Sequence, residues 1–303
     1  MKLEEIILLD DVARKILGGK PEVKKVQSVS DALIAAMVRS SCTAVQLREI
    51  LHMREEDRLI DMDQFLNARG KVGSPLEELW PERYRAVATN LIRQRPVGLG
   101  TPNAACGEGE LFLLFSSPRA SKPTKGDIQI TSAGKNQKAH LFELKGPGGK
   151  ISSGVPGKDI NENVMRKAKE LGILHHIPTS SNSKSRGRPQ FIPATKKETL
   201  EKVMRDQLGP ENSRLLLRAW WEAQTDVSFP ADVTWWSDLA PHFVKLCADV
   251  TFSDGIAGII QLGGEPTVYR SPQEVVTAWK SGALGAFEFR AFQNNPAAVY
   301  FPD

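Results

Sequence analysis

Asp127, Glu143 and Lys145 are the residues whose types and spacing most directly suggest chemistry. They fall in the stretch from Gly126 to Gly146. Period-two alternation puts Asp127, Gln129 and Thr131 on one face of a strand and Ile128 and Ile130 on the other, and Ala133-Gly134 supplies a turn. A second strand over Ala139 to Lys145 brings the chain back, with Glu143 and Lys145 two apart and therefore on the same side. A hairpin carries Asp127 towards that side. Two converging carboxylates form a hard oxygen site suited to Mg²⁺, with Mn²⁺ as a substitute. A neighbouring ammonium then orients an attacking water or stabilises the charge that grows on a phosphorane-like transition state, while the metal acidifies the water. The chemistry implied is metal-dependent phosphodiester hydrolysis. Solvated charges on a half-exposed strand would give the same residues. Against that, Gly126 and Gly146 bracket the set and apolar residues flank Glu143 on both sides, so the charges interrupt a segment that reads as buried.

Gly126-Asp127, fifteen intervening residues and then Glu143-Leu144-Lys145 resembles the motif of the PD-(D/E)xK nuclease superfamily, which includes type II restriction endonucleases, junction resolvases and phage nucleases. The resemblance covers residues 105 to 175. It implies an α/β fold, a restriction-endonuclease-like core whose mixed central sheet is flanked by helices in the order αβββαβ, with additional helical segments around it. It also implies that Asp127 and Glu143 hold metal and that Lys145 assists the water. Gly126 stands where the family name has proline, a common variation. Many members add a glutamate on the helix before the first strand, and the run from Cys106 to Phe115 occupies that place. In a helix Glu110 shares a face with Leu113 and Leu114, whereas Glu108 lies about 200° away from it, so Glu110 is preferred over Glu108 as a further catalytic and metal residue. First-turn acids favoured by the helix dipole would produce the same letters.

The whole chain of 303 residues carries +4, but residues 111–205 hold 18 Lys and Arg against 7 Asp and Glu, a net +11 that leaves the remainder at −7. A basic middle around an acidic site suits double-stranded DNA, because lysines and arginines that meet phosphates release counterions. Lys150, in the glycine-rich run from Gly146 to Gly154, reads as a loop contact to phosphate. Lys184, Arg186 and Arg188 form a second DNA-binding candidate: Arg186-Gly187-Arg188-Pro189 is similar to the core of an AT-hook, and also reads as a basic loop that binds backbone phosphate without sequence preference. His175 and His176 read as structural or substrate-facing, since adjacent histidines do not easily face one metal. Cys42, Cys106 and Cys247 have no CxxC spacing, which argues against a zinc site or a disulfide framework and fits a reducing cytoplasm. The first residues are too acidic for a signal peptide, and no segment approaches the roughly 18 apolar residues of a membrane span.

Residues 1–95 read as a helical N-terminal region that contacts DNA or serves only for packing, and 96–303 as the nuclease core with helical embellishments. Ser30-Asp31 is expected to cap a helix through Val38, and Thr43 another from Val45 to His52. Pro96 to Pro102 breaks the pattern, Asn161 to Leu171 reads as a helix, and Lys196 to Phe252 is helical with Trp220, Trp221, Trp235 and Trp236 as core. Gly255 to Leu262 reads as a later strand, Pro272 to Trp279 as a helix and Ala286 to Gln293 as a terminal strand, whose Glu288 and Arg290 lack a partner aspartate. The expectation is a Mg²⁺-dependent DNA endonuclease, in the first place a sequence-specific restriction enzyme, acting as a homodimer if two sites are to meet two strands. A phage-type or repair nuclease shares the motif. A DNA-binding or assembly protein that keeps the fold without hydrolysis, and an RNA-directed nuclease, are the readings from other classes.

Overall fold

Apolar spacing fixes the first helices. The computed structural model describes residues 2–19, 23–96, 107–155, 157–172, 174, 179–180, 190–191, 202, 204–284 and 298–301. α1 (Leu3–Ile16) buries Leu9, Val12, Ala13 and Ile16, with Glu4 and Glu5 in its first turn and Arg14 and Lys15 in its last, the charge order its dipole favours. α2 (Val23–Arg39) buries Val26, Val29, Leu33, Ala36 and Met37. That stripe runs unbroken past Ser30 and Asp31, so the cap expected there does not form and Ser30 is buried in mid-helix. α3 (Ala44–Glu55) starts as expected: Gln46 N donates to Thr43 Oγ1 at 3.2 Å and Thr43 N to Gln46 Oε1 at 3.0 Å, a reciprocal capping box. It buries Leu47, Ile50, Leu51 and Arg54, the face of a packing helix. α4 (Asp63–Asn67), β1 (Gly70–Lys71) and α5 (Arg85–Ile92) follow.

α6 (Glu110–Ser116) is buried at all seven positions, as an all-round apolar helix must be. Trp80 holds it from one side, with its ring centroid 5.4 Å from that of Phe112 and 5.9 Å from that of Phe115, and Nε1 donating to Ser116 Oγ at 2.8 Å. Arg54 holds its C-terminus. The last carbonyls of a helix have no intrahelical partner, and Arg54 Nε donates to Phe115 O at 2.8 Å while Nη2 reaches Ser117 O at 3.5 Å. β2 (Ala120–Ser121), β3 (Ile128–Thr131) and β4 (Ala139–Lys145) then form an antiparallel meander, with Ile128 opposite Phe142 and Thr131 opposite Ala139. Ile128 and Ile130 are fully buried and Gln129 and Thr131 are not, the alternation expected from the sequence.

The chain next builds β5 (Lys150–Ser152), α7 (Gly157–Glu170), β6 (Thr179–Ser180), β7 (Gln190–Phe191), a π-helical turn at Met204–Leu208, α8 (Gly209–Glu222) and α9 (Trp236–Ser253). β5 corrects the expectation of an open loop from Gly146 to Gly154: Ile151 is buried between Lys150 and Ser152, and the segment pairs with a strand far along the chain. Trp220 and Trp236 are core residues, 5.2 Å apart edge to face, with Phe243 4.8 Å from Trp220. β8 (Ile256–Gln261), the apolar run expected as a late strand, and β9 (Thr267–Tyr269) complete a six-stranded sheet in the order β1-β9-β8-β4-β3-β2. Its pairs are antiparallel except β4 with β8. α10 (Pro272–Lys280) is capped by Ser271, and β10 (Ala298–Tyr300) pairs with β5. The terminal strand expected over Ala286 to Gln293 lies outside the described residues.

Packing divides the chain into two units, Met1–Gly148 with Gly255–Arg270, and Gly149–Asp254 with Ser271–Pro302. Helical residues such as Leu9, Leu33 and Ile50 share one apolar cluster with Ile128, Phe142 and Ile260 of the sheet. The packing therefore does not divide at residue 95, and the first unit is a mixed α/β layer structure with its helices and sheet around a common core.

Candidate functional site

The hairpin from β3 to β4 positions the carboxylates. Gly126 sits at φ +77°, a left-handed backbone that glycine adopts without strain. From that turn Asp127 N donates to Phe142 O at 3.0 Å, and Leu144 N donates back to Asp127 Oδ2 at 2.8 Å. Asp127 is thereby fixed against β4 by its own side chain. On β4, buried Phe142 and Leu144 alternate with Glu143 and Lys145, which share the other face. Lys145 Nζ lies 2.6 Å from Glu143 Oε1 and 4.0 Å from Asp127 Oδ2. The Asp127, Glu143 and Lys145 constellation read from the sequence is thus brought together.

Glu110 belongs to the same cluster through a residue the sequence reading passed over. Lys122, one residue beyond β2, donates to Glu110 Oε1, and its Nζ is 3.9 Å from Asp127 Oδ1. The second oxygen of Glu110 accepts from Gly107 N at 3.1 Å. Glu108 faces elsewhere and pairs with Arg95 at 2.6 Å, so geometry joins Glu110 and not Glu108 to the set. Charges alternate along the line Glu110, Lys122, Asp127, Lys145, Glu143. Side-chain exposure rises from 5% at Glu110 to 28% at Asp127 and 25% at Glu143, so the cluster is closed at the helix end and open at the hairpin end. On the far side of Lys145 the parallel strand β8 places Gln261 in register, and Leu262 N donates to Lys145 O at 2.8 Å. Gln261 Oε1 accepts from Tyr269 Oη at 3.0 Å, and burial pushes that phenol up to about 12, keeping it a donor.

Burial, with the charge of Asp127 added, holds the Glu143 carboxyl above its ordinary range; Lys145 and Lys122 oppose the shift without cancelling it. Among the described residues no group of three or more His, Cys, Asp or Glu side chains is arranged to hold a metal ion, and the carboxylates of this cluster are paired with lysines. The donor set still suits a hard cation. Mg²⁺ is commonly bound by one or two carboxylates plus water and substrate phosphate, and Asp127 and Glu143, both partly open and both addressed by one lysine, supply two.

The DNA-binding candidates divide differently. Lys150 opens β5 in the second unit, while Lys184, Arg186 and Arg188, with His175 and His176, lie outside the described residues. No described helix is long and apolar enough to cross a membrane. Neither models of known families, nor characterised proteins, nor solved structures match this chain.

Proposed function

We propose that the chain is a Mg²⁺-dependent endonuclease with a restriction-endonuclease-like core, hydrolysing phosphodiester bonds of double-stranded DNA. The observation that carries this reading is the convergence of Asp127 and Glu143 on the Lys145 ammonium, at 4.0 and 2.6 Å, on the partly open face of a hairpin whose other face is buried through Ile128, Ile130, Phe142 and Leu144. The element order is compatible with it: α6, the antiparallel strands β2, β3 and β4, and then, after β5, α7, β6, β7, α8 and α9, the strand β8 parallel to β4.

Asp127 and Glu143 would hold the cation, with Glu110 behind them. Bound there, Mg²⁺ supplies Lewis-acid polarisation and acidifies water. The chain's own groups do the rest. Leu144 N–H fixes one oxygen of Asp127, so the carboxylate is preorganised before substrate arrives. Lys145, held between two carboxylates, keeps a positive charge at the place where a scissile phosphate gathers negative charge, and directs a water towards phosphorus. Lys150, Lys184, Arg186 and Arg188 provide phosphate contacts that set affinity without sequence. Sequence-specific restriction is the favoured setting, with helical segments reading DNA and a homodimer presenting two sites to two strands.

Supercoiled plasmid incubated with and without Mg²⁺ tests the proposal. Relaxation and linearisation that need Mg²⁺ and vanish in Asp127→Ala are expected. Cutting that persists in Asp127→Ala would assign the chemistry to other residues.

A further inference from the structure

We propose that the loop joining β3 to β4 is, through Lys135 and Lys138, a contact surface for the phosphate backbone of duplex DNA, one groove away from Lys145. The inference rests on the reading above for its partner and names where on the first unit the duplex is held.

The run from Ile128 to Phe142 contains no aspartate or glutamate, and its charges are Lys135 and Lys138. Residues 133–138 are exposed throughout, and neither ammonium pairs with an acid among the described residues. An unpaired lysine on a solvated tip meets a phosphate without first giving up a partner, and releases a counterion from DNA when it does. The loop is also built before a ligand arrives. Ser132 N donates to Lys138 O and Lys138 N to Ser132 Oγ, both at 2.9 Å, and Gly134 turns the chain at φ +95°. Little ordering is therefore left to oppose binding.

A basic loop by itself signifies only a solvated surface; its place on the hairpin decides. The face that carries Glu143 and Lys145 continues towards the loop through Leu141 opposite Gln129 and Ala139 opposite Thr131, all uncharged and all at least partly open. Lys138 stands five residues before Glu143, roughly 16 Å along the strand. A B-form major groove is about 12 Å wide, and the length of a lysine side chain covers the difference. A duplex with one phosphate at Lys145 thus brings phosphates of its other strand within reach of the loop. The cluster cannot draw a polyanion unaided: Glu110, Asp127 and Glu143 against Lys122 and Lys145 leave it at −1. Cations outside it have to supply that attraction, and the loop places two on the same hairpin.

Fluorescence anisotropy of two labelled duplexes of unrelated sequence, titrated with the full chain in EDTA over a series of salt concentrations, tests this without cleavage. Lys135→Ala and Lys138→Ala are each expected to lower the slope of log affinity against log salt concentration by about 1, and the double variant by about 2, alike on both duplexes. Lys245→Ala, which removes an exposed lysine paired with Asp249 at 2.7 Å, should leave the slope unchanged. The loop lysines are exposed and bury nothing, so the variants should keep the Tm of wild type. A double variant with the wild-type slope, or with a loss no greater than that of Lys245→Ala, overturns the inference and leaves the nuclease reading to its cleavage test. The expected loss of slope in a chain that binds duplex but never cuts it keeps the inference and overturns the nuclease reading. A wild type that binds neither duplex at low salt overturns both.

Discussion

Arg54→Met removes the group that closes the C-terminus of α6, the helix that presents Glu110. Arg54 is 1% exposed, and its guanidinium is held at Phe115 O, Ser117 O and Glu55 Oε1, at 2.8, 3.5 and 2.9 Å. Methionine keeps much of the apolar stem, so the loss is mainly polar. The 2.8 Å bond from a charged donor contributes roughly 1.5–3 kcal/mol, and its loss leaves a buried carbonyl unsatisfied. The 3.5 Å contact is at the limit of a hydrogen bond and adds little, and Glu55, on the surface, regains water. A loss of about 2–4 kcal/mol follows, or about 4–16 °C in Tm for a unit of this size. Thermal unfolding followed by circular dichroism at neutral pH and moderate salt measures it. Arg54→Lys should fall between, since one ammonium does not reproduce a planar fork. A Tm within about 2 °C of wild type for Arg54→Met would mean that the C-terminus of α6 does not depend on this guanidinium.

The Glu143 carboxyl has its folded value raised above its unfolded one, mainly by burial. The folded protein therefore binds this proton more tightly; the stability so contributed is full below the unfolded value and is lost as pH rises through the raised one. The Tm of wild type should therefore fall relative to that of Glu143→Gln as pH rises from acid to neutral, and a Tm difference that does not change with pH would contradict the sign. Protons and Mg²⁺ would compete for the Glu143 carboxylate, so the Mg²⁺ concentration that half-saturates cleavage should rise as pH is lowered, read from rate against Mg²⁺ at several pH values. Gly126→Ala puts a Cβ 3.1 Å from Ile256 Cδ1 and 3.3 Å from Phe142 O at a positive φ, and should lose about 1–2 kcal/mol or more in a urea titration. Gly126→Pro should lose more, because proline cannot adopt that φ; an unchanged midpoint in either would refute the strain.

Glycine in place of proline before Asp127 reads from the sequence as a common variation, yet at φ +77° the backbone here favours glycine and excludes proline. The hairpin itself was legible because strand alternation is a local signal, and Glu110 was reached through the resemblance, which places a glutamate on the helix before the first strand, with the helical period favouring it over Glu108. Lys122 was not. It follows a strand of two residues, has no periodic neighbour, and meets Glu110 and Asp127 only once β2 pairs with β3. β5 was missed for a related reason: its partner begins at Ala298, and no local pattern announces a three-residue strand paired across the chain. The cap expected at Ser30 failed in the opposite direction, where a favourable capping residue was overridden by an apolar stripe that continued through it.

Whether Asp127, Glu143 and Lys145 cut DNA is tested by incubating wild type and Lys145→Ala with several defined long DNAs and Mg²⁺ and reading fragments on a gel. Discrete wild-type bands, with cleavage reduced about 10²–10³-fold or more in the variant, are the expected result. A smear lost in the variant would keep the chemistry and remove the sequence specificity. Equal cutting by both proteins, or none by wild type across metals, DNA forms and methylation states, would contradict the claim.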